Sequence, residues 1–292
     1  MAAQASAGIA FSERALRYAE VQETGRGFRL LRLGQCDFDF DLSRTLTDPS
    51  AGQERTIIGE ALVEALGTSE GRRIRAALHP PLCRSFFSAH DGSDPVPAVT
   101  FEAGLLGLGH DEEGGGIGAD AAAQTSDGEL LHVTSIRPVV LEHLGAIIAD
   151  LQAEDAQAVS ALRASAEVVR LGGLNLTRGL CVVAIGYFDN LFEMAVLDNS
   201  GWRFASHARG LSTAADSVHH IRETLGVMGW TPDQVARVLC FGSEPVPDAV
   251  SAHFAGRVSL MNPLSLLELD KDSLDPDYAA AEFVPSVGAA LL

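Results

Sequence analysis

Leu180-Cys181-Val182-Val183-Ala184-Ile185-Gly186 is an apolar run closed by a glycine, and together with the sixty residues after it this run decides the fold. Leu191 to Leu197 is a second apolar run, Gly201 precedes a third at Trp202–Ala208, helical spacing marks Ala214–Leu225, and Val235–Phe241 closes the set. Short apolar runs bounded by glycine and polar residues read as strands, so the order is strand–strand–strand–helix–strand. The same order opens the chain. Ala7-Gly8-Ile9-Ala10-Phe11, Ala15–Val21 and Phe28–Phe38 are the strands, with a turn at Gly25-Arg26-Gly27. Ile57, Ile58, Ala61, Leu62 and Ala65 mark a helix over Thr56–Leu66, and Arg75–Leu78 is a strand stopped by Pro80-Pro81. In the second strand Leu16, Tyr18 and Glu20 share one face while Arg17, Ala19 and Val21 share the other, the mixed pattern of a strand covered on both sides. One unit appearing twice, from near residue 7 and near residue 179, predicts an α/β chain of two like lobes.

Between the two units the composition changes. Residues 84–130 carry Gly92, Pro95, Pro97, the run Gly114-Gly115-Gly116 and several acids, which reads as a small subdomain inserted in the first lobe. A helix pattern near Phe101–Leu108 and a mobile loop at Asp111–Gly118 are expected within it. The triple glycine is not read as a phosphate loop: Asp111, Glu112 and Glu113 would repel an anion, and no Lys-Ser or Lys-Thr follows. Beyond it, Leu130–Ser135 reads as a strand and Pro138–Ala149 as a helix with Val139, Val140, Leu144 and Ile147 inward. A further helix over Ala156–Leu171 ends at Gly172-Gly173. The lobes are therefore placed at 1–175 and 176–292, with a C-terminal helix over about 279–292.

Of the 292 residues, 47% are hydrophobic, enough for a sizeable core. No apolar run approaches the roughly 18–20 residues that cross a bilayer, and Met1 to Ala5 has no basic residue ahead of an apolar stretch. A cytoplasmic protein with no direct membrane insertion is expected. The formal charge is −18, from 39 acids against 21 bases, and Lys271 is the only lysine. Such a surface repels phosphate backbones and anionic lipid heads, so no nucleic-acid partner is expected. Cys36, Cys83, Cys181 and Cys240 lie far apart among apolar neighbours, as small buried side chains do.

Four stretches carry a resemblance. Gly8-Ile9-Ala10-Phe11-Ser12-Glu13-Arg14-Ala15-Leu16-Arg17-Tyr18-Ala19-Glu20 aligns without a gap with the pattern Gly-Ile-Asp-Ile-Gly-Ser-Ser-Ser-Ile-Lys-Leu-Val-Glu. Val183-Ala184-Ile185-Gly186 matches Val-Asp-Ile-Gly, Val258-Ser259-Leu260-Met261-Asn262-Pro263-Leu264 a strand with an Asn-Pro turn, and Pro285–Leu292 a closing helix rich in small residues. In this order and spacing they resemble the PilM family, cytoplasmic actin-like proteins of type IV pilus assembly within the actin/Hsp70/sugar-kinase superfamily. The resemblance covers nearly the whole chain except the insert. It implies an α/β fold of duplicated actin-like (ribonuclease H-like) lobes, with a small inserted subdomain in the first.

It also implies where a nucleotide would sit. In the superfamily, an aspartate ending the first strand of each lobe holds the metal–nucleotide complex or its water, and the next glycines admit phosphate to backbone N–H groups. Those loops fall here at Gly8, Ser12, Gly186, Gly242 and Ser243, and they depart from the pattern. Both aspartate positions are alanine, Ala10 and Ala184; Ser12 replaces a glycine with Glu13 beside it; Tyr187 and Phe188 follow Gly186; and the adenosine-side cluster is reduced to Phe241-Gly242-Ser243-Glu244. Losing both carboxylates predicts a pseudo-ATPase with no catalytic residue, no metal site and no cofactor, ATP or ADP with magnesium not being expected. Asp189 is the one acid placed to substitute. The alternatives are an ATPase or kinase of the superfamily using substitute residues, or the actin-like scaffold of type II secretion.

Other chemistry reads as structural. His219-His220 are adjacent on a helix and point about 100° apart, and His207, His132 and His143 are isolated. Gly242-Ser243-Glu244-Pro245 lacks the second glycine of a nucleophile elbow. Asp37, Asp39 and Asp41 are expected to share the solvated face of one strand, opposite Phe38 and Phe40. By resemblance, the partner is the short cytoplasmic N-terminal peptide of a single-span inner-membrane protein, PilN-like, and the chain sits peripheral to the inner membrane through it. The peptide is expected near Leu78–Phe87 and Val96–Leu108, with Lys or Arg suited to the acidic surface. Self-association, a further expectation from the resemblance, has no heptad or long amphipathic stripe to place it.

Overall fold

The computed structural model describes residues 4–68, 71–90, 94–106, 116–125, 128–188, 190–210, 214–269 and 279–292. Strands β1 (Ala5–Phe11), β2 (Ala15–Thr24) and β3 (Gly27–Asp37) form an antiparallel meander. Helices α1 (Leu42–Thr45) and α2 (Gly52–Leu66) lead to β4 (Arg73–Leu78), parallel to β1 with Ile9 opposite Ala76. Then come β5 (Cys83–His90), α3 (Pro95–Leu105), β6 (Gly116–Thr125), β7 (Gly128–Ile136), α4 (Pro138–Ile148), β8 (Asp155–Ser160) and α5 (Ala161–Leu171). The second half supplies β9 (Cys181–Phe188), β10 (Leu191–Asp198), β11 (Gly201–Arg209), α6 (Ala214–Val227), β12 (Val235–Gly242), α7 (Asp248–His253), β13 (Val258–Leu260), β14 (Leu267–Glu268) and α8 (Val284–Leu291).

Two sheets result. One has the order β14-β3-β2-β1-β4-β8, the other β13-β12-β9-β10-β11-β6-β7-β5. The run β3-β2-β1-β4-β8 of the first is repeated in the second as β11-β10-β9-β12-β13, with the same antiparallel and parallel senses. The duplication read from the sequence is therefore a duplication of topology. β2 is covered on both faces, as its mixed pattern predicts: Leu16, Arg17, Ala19, Glu20 and Val21 are all buried. Its polar members are paired, Glu20 with Arg72 at 2.8 Å and Arg17 with Glu282.

Several expectations are corrected. Ala156–Ser160 is not the start of a helix but the strand β8, pairing with β4 from Asp155 to Ser160, and the helix α5 begins at Ala161. Asp37, Asp39 and Asp41 do not share a strand face. β3 ends at Asp37, and Asp41 caps α1 by accepting a hydrogen bond from the Arg44 amide at 3.0 Å. In the inserted region the helix α3 starts earlier than its pattern, at Pro95, and β5 and β6 join β7 in one antiparallel sheet. Of the loop expected at Asp111–Gly118, residues 116–118 open β6 and 111–115 lie outside the described residues, as do Gly114 and Gly115 of the triple glycine. The insert sheet continues the second-lobe sheet through the pair Gly201↔Ala123.

Packing between the lobes is built on small residues. Helix α8 lies against β1, where a Cβ on Gly8 would sit 1.9 Å from the Ser286 carbonyl oxygen. On its other side a Cβ on Gly288 would sit 1.9 Å from the carbonyl oxygen of Ala164 in α5. Only hydrogen at these two positions lets α8 wedge between the sheet and α5.

Candidate functional site

Two concavities bear on function. The first, about 120 Å³, lies between the lobes where β1 and β4 end and the β9–β10 hairpin turns. At the end of β1, Ser12 donates both its amide and its hydroxyl to the Ala15 carbonyl, at 2.9 and 2.8 Å, and Arg17 donates to Ser12 Oγ at 3.3 Å. The hairpin thus uses the N–H that a phosphate would need. Ser12, Glu13 and Asp41 line this opening, with His79 and Arg209 opposite.

Behind it the lobes meet through buried polar groups. Glu193, in the middle of β10 between Gly186 and His207 of the flanking strands, has no solvent exposure. Its Oε2 lies 3.0 Å from Nδ1 of His79, which follows β4. The His79 ring packs on Phe188 with centroids 4.6 Å apart, and Arg209 donates to the Pro80 carbonyl at 2.8 Å. Burial holds the His207 imidazole below its ordinary pKa, the nearby Glu193 charge opposing it and Arg209 and Arg84 adding to it. Cys83 at the start of β5 is pushed up to about 12, by burial first and the Glu193 charge second. The contact sets a carboxylate of one lobe against an imidazole of the other with solvent excluded, and among the described residues neither His79 Nδ1 nor the Glu193 oxygens make an aligned hydrogen bond, which leaves these buried polar atoms costly.

The positions assigned to nucleotide loops do not converge on this opening. Ser12 alone of the five lines it. Gly8 is buried under α8; a Cβ on Gly186 would meet the rings of Phe241 at 2.7 Å and Phe188 at 2.9 Å; and Gly242, at φ +107°, brings β12 close to the Tyr187 carbonyl. Ser243 is exposed beyond it. Ala10 is packed with Ala77, Ala161, Ala164 and Ala289, and Ala184 with Leu162, Ala166 and Phe188. Asp189, the substitute acid, lies outside the described residues. Among the described residues no group of three or more His, Cys, Asp and Glu could hold a metal ion. His219 instead pairs with Glu223 at 3.1 Å, and His220 bonds Ser206 at 2.8 Å.

The second concavity, about 310 Å³, is a groove between α5 and β6. Ala166, Leu197, Trp202 and Leu291 give it an apolar lining, and Arg163, Glu167 and Arg170 its charges. Arg163 is loosely held, 3.8 Å from Glu167 and 4.0 Å from Asp120, and its buried Nε has no hydrogen-bond acceptor among the described residues. The stretches Leu78–Phe87 and Val96–Leu108 expected to hold a peptide do not line this groove. Sequence reasoning missed His79, Glu193, Arg163 and Trp202. One signal was legible: Glu193 is a single charge inside the otherwise apolar run Leu191–Leu197, and such a residue calls for a buried partner.

No protein-family model matches the sequence, and no curated protein sequence matches it. The shape does find relatives. A chain of the PilM-PilN type IV pilus biogenesis complex superposes with a TM-score of 0.72, covering 98% of this chain and 97% of that one at 13% identity. The fold is the actin-like fold of PilM. A Bacteroides thetaiotaomicron protein with an actin-like ATPase fold and unknown function superposes at 0.58, covering 89% and 91% at 10% identity. At these identities the likeness to PilM is one of fold, including the two lobes, and the duplicated topology above is its content. No helix among the described residues is long and apolar enough to cross a membrane.

Proposed function

We propose that this chain is a non-catalytic, cytoplasmic actin-like adaptor of a type IV pilus or related secretion machine. It would hold a short extended peptide from a membrane-anchored partner in the groove between α5 and β6. The observation that carries the reading is the filled cleft. Phe188 packed at a tilt against His79, the buried Glu193 and the apolar packing around Ala10 and Ala184 border a space of about 120 Å³ between the lobes. Sites for small ligands usually measure roughly 300–1,000 Å³. Glu13 and Asp41 line the opening where phosphates would have to lie, and without a bridging metal ion their charge would repel them. The groove, about 310 Å³, has the apolar lining and the acceptor-seeking Arg163 Nε that suit an extended peptide with one apolar anchor and a free carbonyl.

Glu13 and Asp41 are also what a second reading, an ATPase with substitute carboxylates, would rest on. Calorimetric titration with ATP and magnesium separates the two. The adaptor reading expects no heat up to near-millimolar nucleotide, and micromolar magnesium-dependent binding would sink it. The companion titration uses synthetic peptides copied from cytoplasmic tails of single-span proteins. Saturable binding that Arg163→Gln weakens is the result expected.

A further inference from the structure

Strand β6 sits between β7 and β11 in the second sheet, yet only one of its edges is used. It pairs with β7 from Gly116↔Ile136 to Thr125↔Gly128, whereas it meets β11 at the single pair Gly201↔Ala123. From Gly116 to Ala121 the backbone groups on that second side have no ladder partner among the described residues. The stretch is also uncovered. Between Gly116 and Ala123 only Ile117 and Asp120 carry a side chain larger than a methyl group, and residues 118–121 are exposed. Edges that resist pairing are commonly guarded by lysine or proline, and β6 has neither. The bulge at Ala122, which has no opposite residue on β7, ends the open run beside Gly201, where both Ala121 and Ala122 line the groove.

The two faces of β6 are distinct. Ile117 packs with Val99, Leu131 and Val133 on one, and Asp120 lies 4.0 Å from Arg163 of α5 on the other. We propose, resting on the reading that the α5–β6 groove holds an extended peptide, that β6 takes this peptide as an added strand. The partner segment is as long as Gly116–Ala121, pairs main chain to main chain, and carries a large apolar residue and a hydrogen-bond acceptor two residues apart. In this mode the main chain gives affinity and alternate side chains give selectivity. Residues two apart on a strand share a face, at about 6.5–7 Å. Of the pair turned to α5, one reaches the apolar floor of Ala166, Leu197, Trp202 and Leu291, and the other brings its acceptor to the Arg163 Nε. A second copy's β6 does not fit that description. Its Asp120 face offers Gly116, Gly118, Asp120 and Ala122, with no large apolar residue, and would set a further carboxylate beside Asp120 and Glu167.

The test uses the full chain and a labelled peptide, Thr-Gln-Thr-Leu-Thr-Gln-Thr, in which leucine has an acceptor two residues away in either strand direction. Fluorescence anisotropy should show saturable binding. N-methylation of the peptide amides one at a time should weaken it about tenfold at alternate positions and little at those between, because only every second N–H of an added strand faces β6. On the protein side, Gly118→Pro and Ala119→Pro are made separately. Neighbouring residues of β6 point their N–H groups to opposite edges, so one of the two replacements spares the β7 ladder. The variant that keeps the wild-type melting temperature should lose peptide binding; should both melt early, the methylation pattern decides alone. Losses without alternation, wild-type affinity in the stable proline variant, or absence of saturable binding would each overturn the added strand. If this peptide fails while membrane-protein tails bind with sensitivity to Arg163→Gln, this inference alone falls; if neither binds, the groove reading falls with it. A concentration-dependent dimer dissolved by the stable proline variant would also overturn it, assigning the edge to a second copy.

Discussion

His132 is fully buried on β7, its ring centroid 4.2 Å from that of Trp202 and 5.4 Å from that of Phe87, and among the described residues neither ring nitrogen has a hydrogen-bond partner. Burial, with a smaller push from the Arg163 charge, lowers its pKa from 6.5 to about 3. Between those values the unfolded chain binds a proton that the native protein refuses. The contribution is therefore intact above pH 6.5 and is lost as the pH falls toward 3, at up to about 1.4 kcal/mol per pH unit. Replacing His132 with Phe removes the titrating group and strands no partner, so His132→Phe should lose less stability than wild type on going from neutral to mildly acid pH. Urea midpoints at both conditions decide it, and equal losses in the two proteins would refute the assignment. At the same scale, Ala10 and Ala184 stand where the resemblance to the PilM family expects aspartates. Each methyl group is packed in an apolar cluster with residues of neighbouring helices, so both positions are core in this fold.

At the scale of elements, α8 is the piece on which the lobes depend, because it touches β1 on one side and α5 on the other. A Cβ at Gly288 would stand 1.9 Å from the Ala164 carbonyl, a backbone atom that cannot swing aside. Gly288→Val should cost about 1–3 kcal/mol or more and loosen the cover of β1. Hydrogen exchange of the Ile9 and Phe11 amides is the readout, and protection equal to wild type would show that α8 accommodates the change. Gly8 illustrates what the sequence could and could not convey. A glycine beside the first strand's aspartate position looks like a phosphate contact, yet its partner is a helix 278 residues later (Gly8 to Ser286), which no local pattern encodes. The strands β1 to β4 and β9 to β12 were legible because apolar residues alternate with turn glycines. β8 was not: Ala-Gln-Ala-Val-Ser favours helix locally, and its strand form comes from pairing with β4. β6, mostly exposed and rich in Gly and Ala, has little apolar signal, and its place in the sheet is set by β7. The groove was out of reach for the same reason, since α5, β6 and β11 meet only in three dimensions.

For the whole molecule, the two halves of the chain complete one another. β14, from the second half, closes the first sheet beside β3, and α8 covers β1, while β5, β6 and β7 from the first half extend the second sheet. His79 and Glu193 come within 3.0 Å of each other across the cleft. A fragment of residues 1–175 should therefore lack a cooperative denaturant transition, although it contains five of the six strands of the first sheet. A sharp transition in that fragment, seen by circular dichroism and fluorescence together, would show that the first lobe stands alone. The position of α8 also sets a timetable for the growing chain. At roughly 5–20 residues per second, a ribosome that has made β1 needs about 15–55 seconds to make the helix that covers it. Until then the small-residue face of the first strands has no lid, so a nascent hydrophobic surface has to be shielded while the residues between β1 and α8 are made.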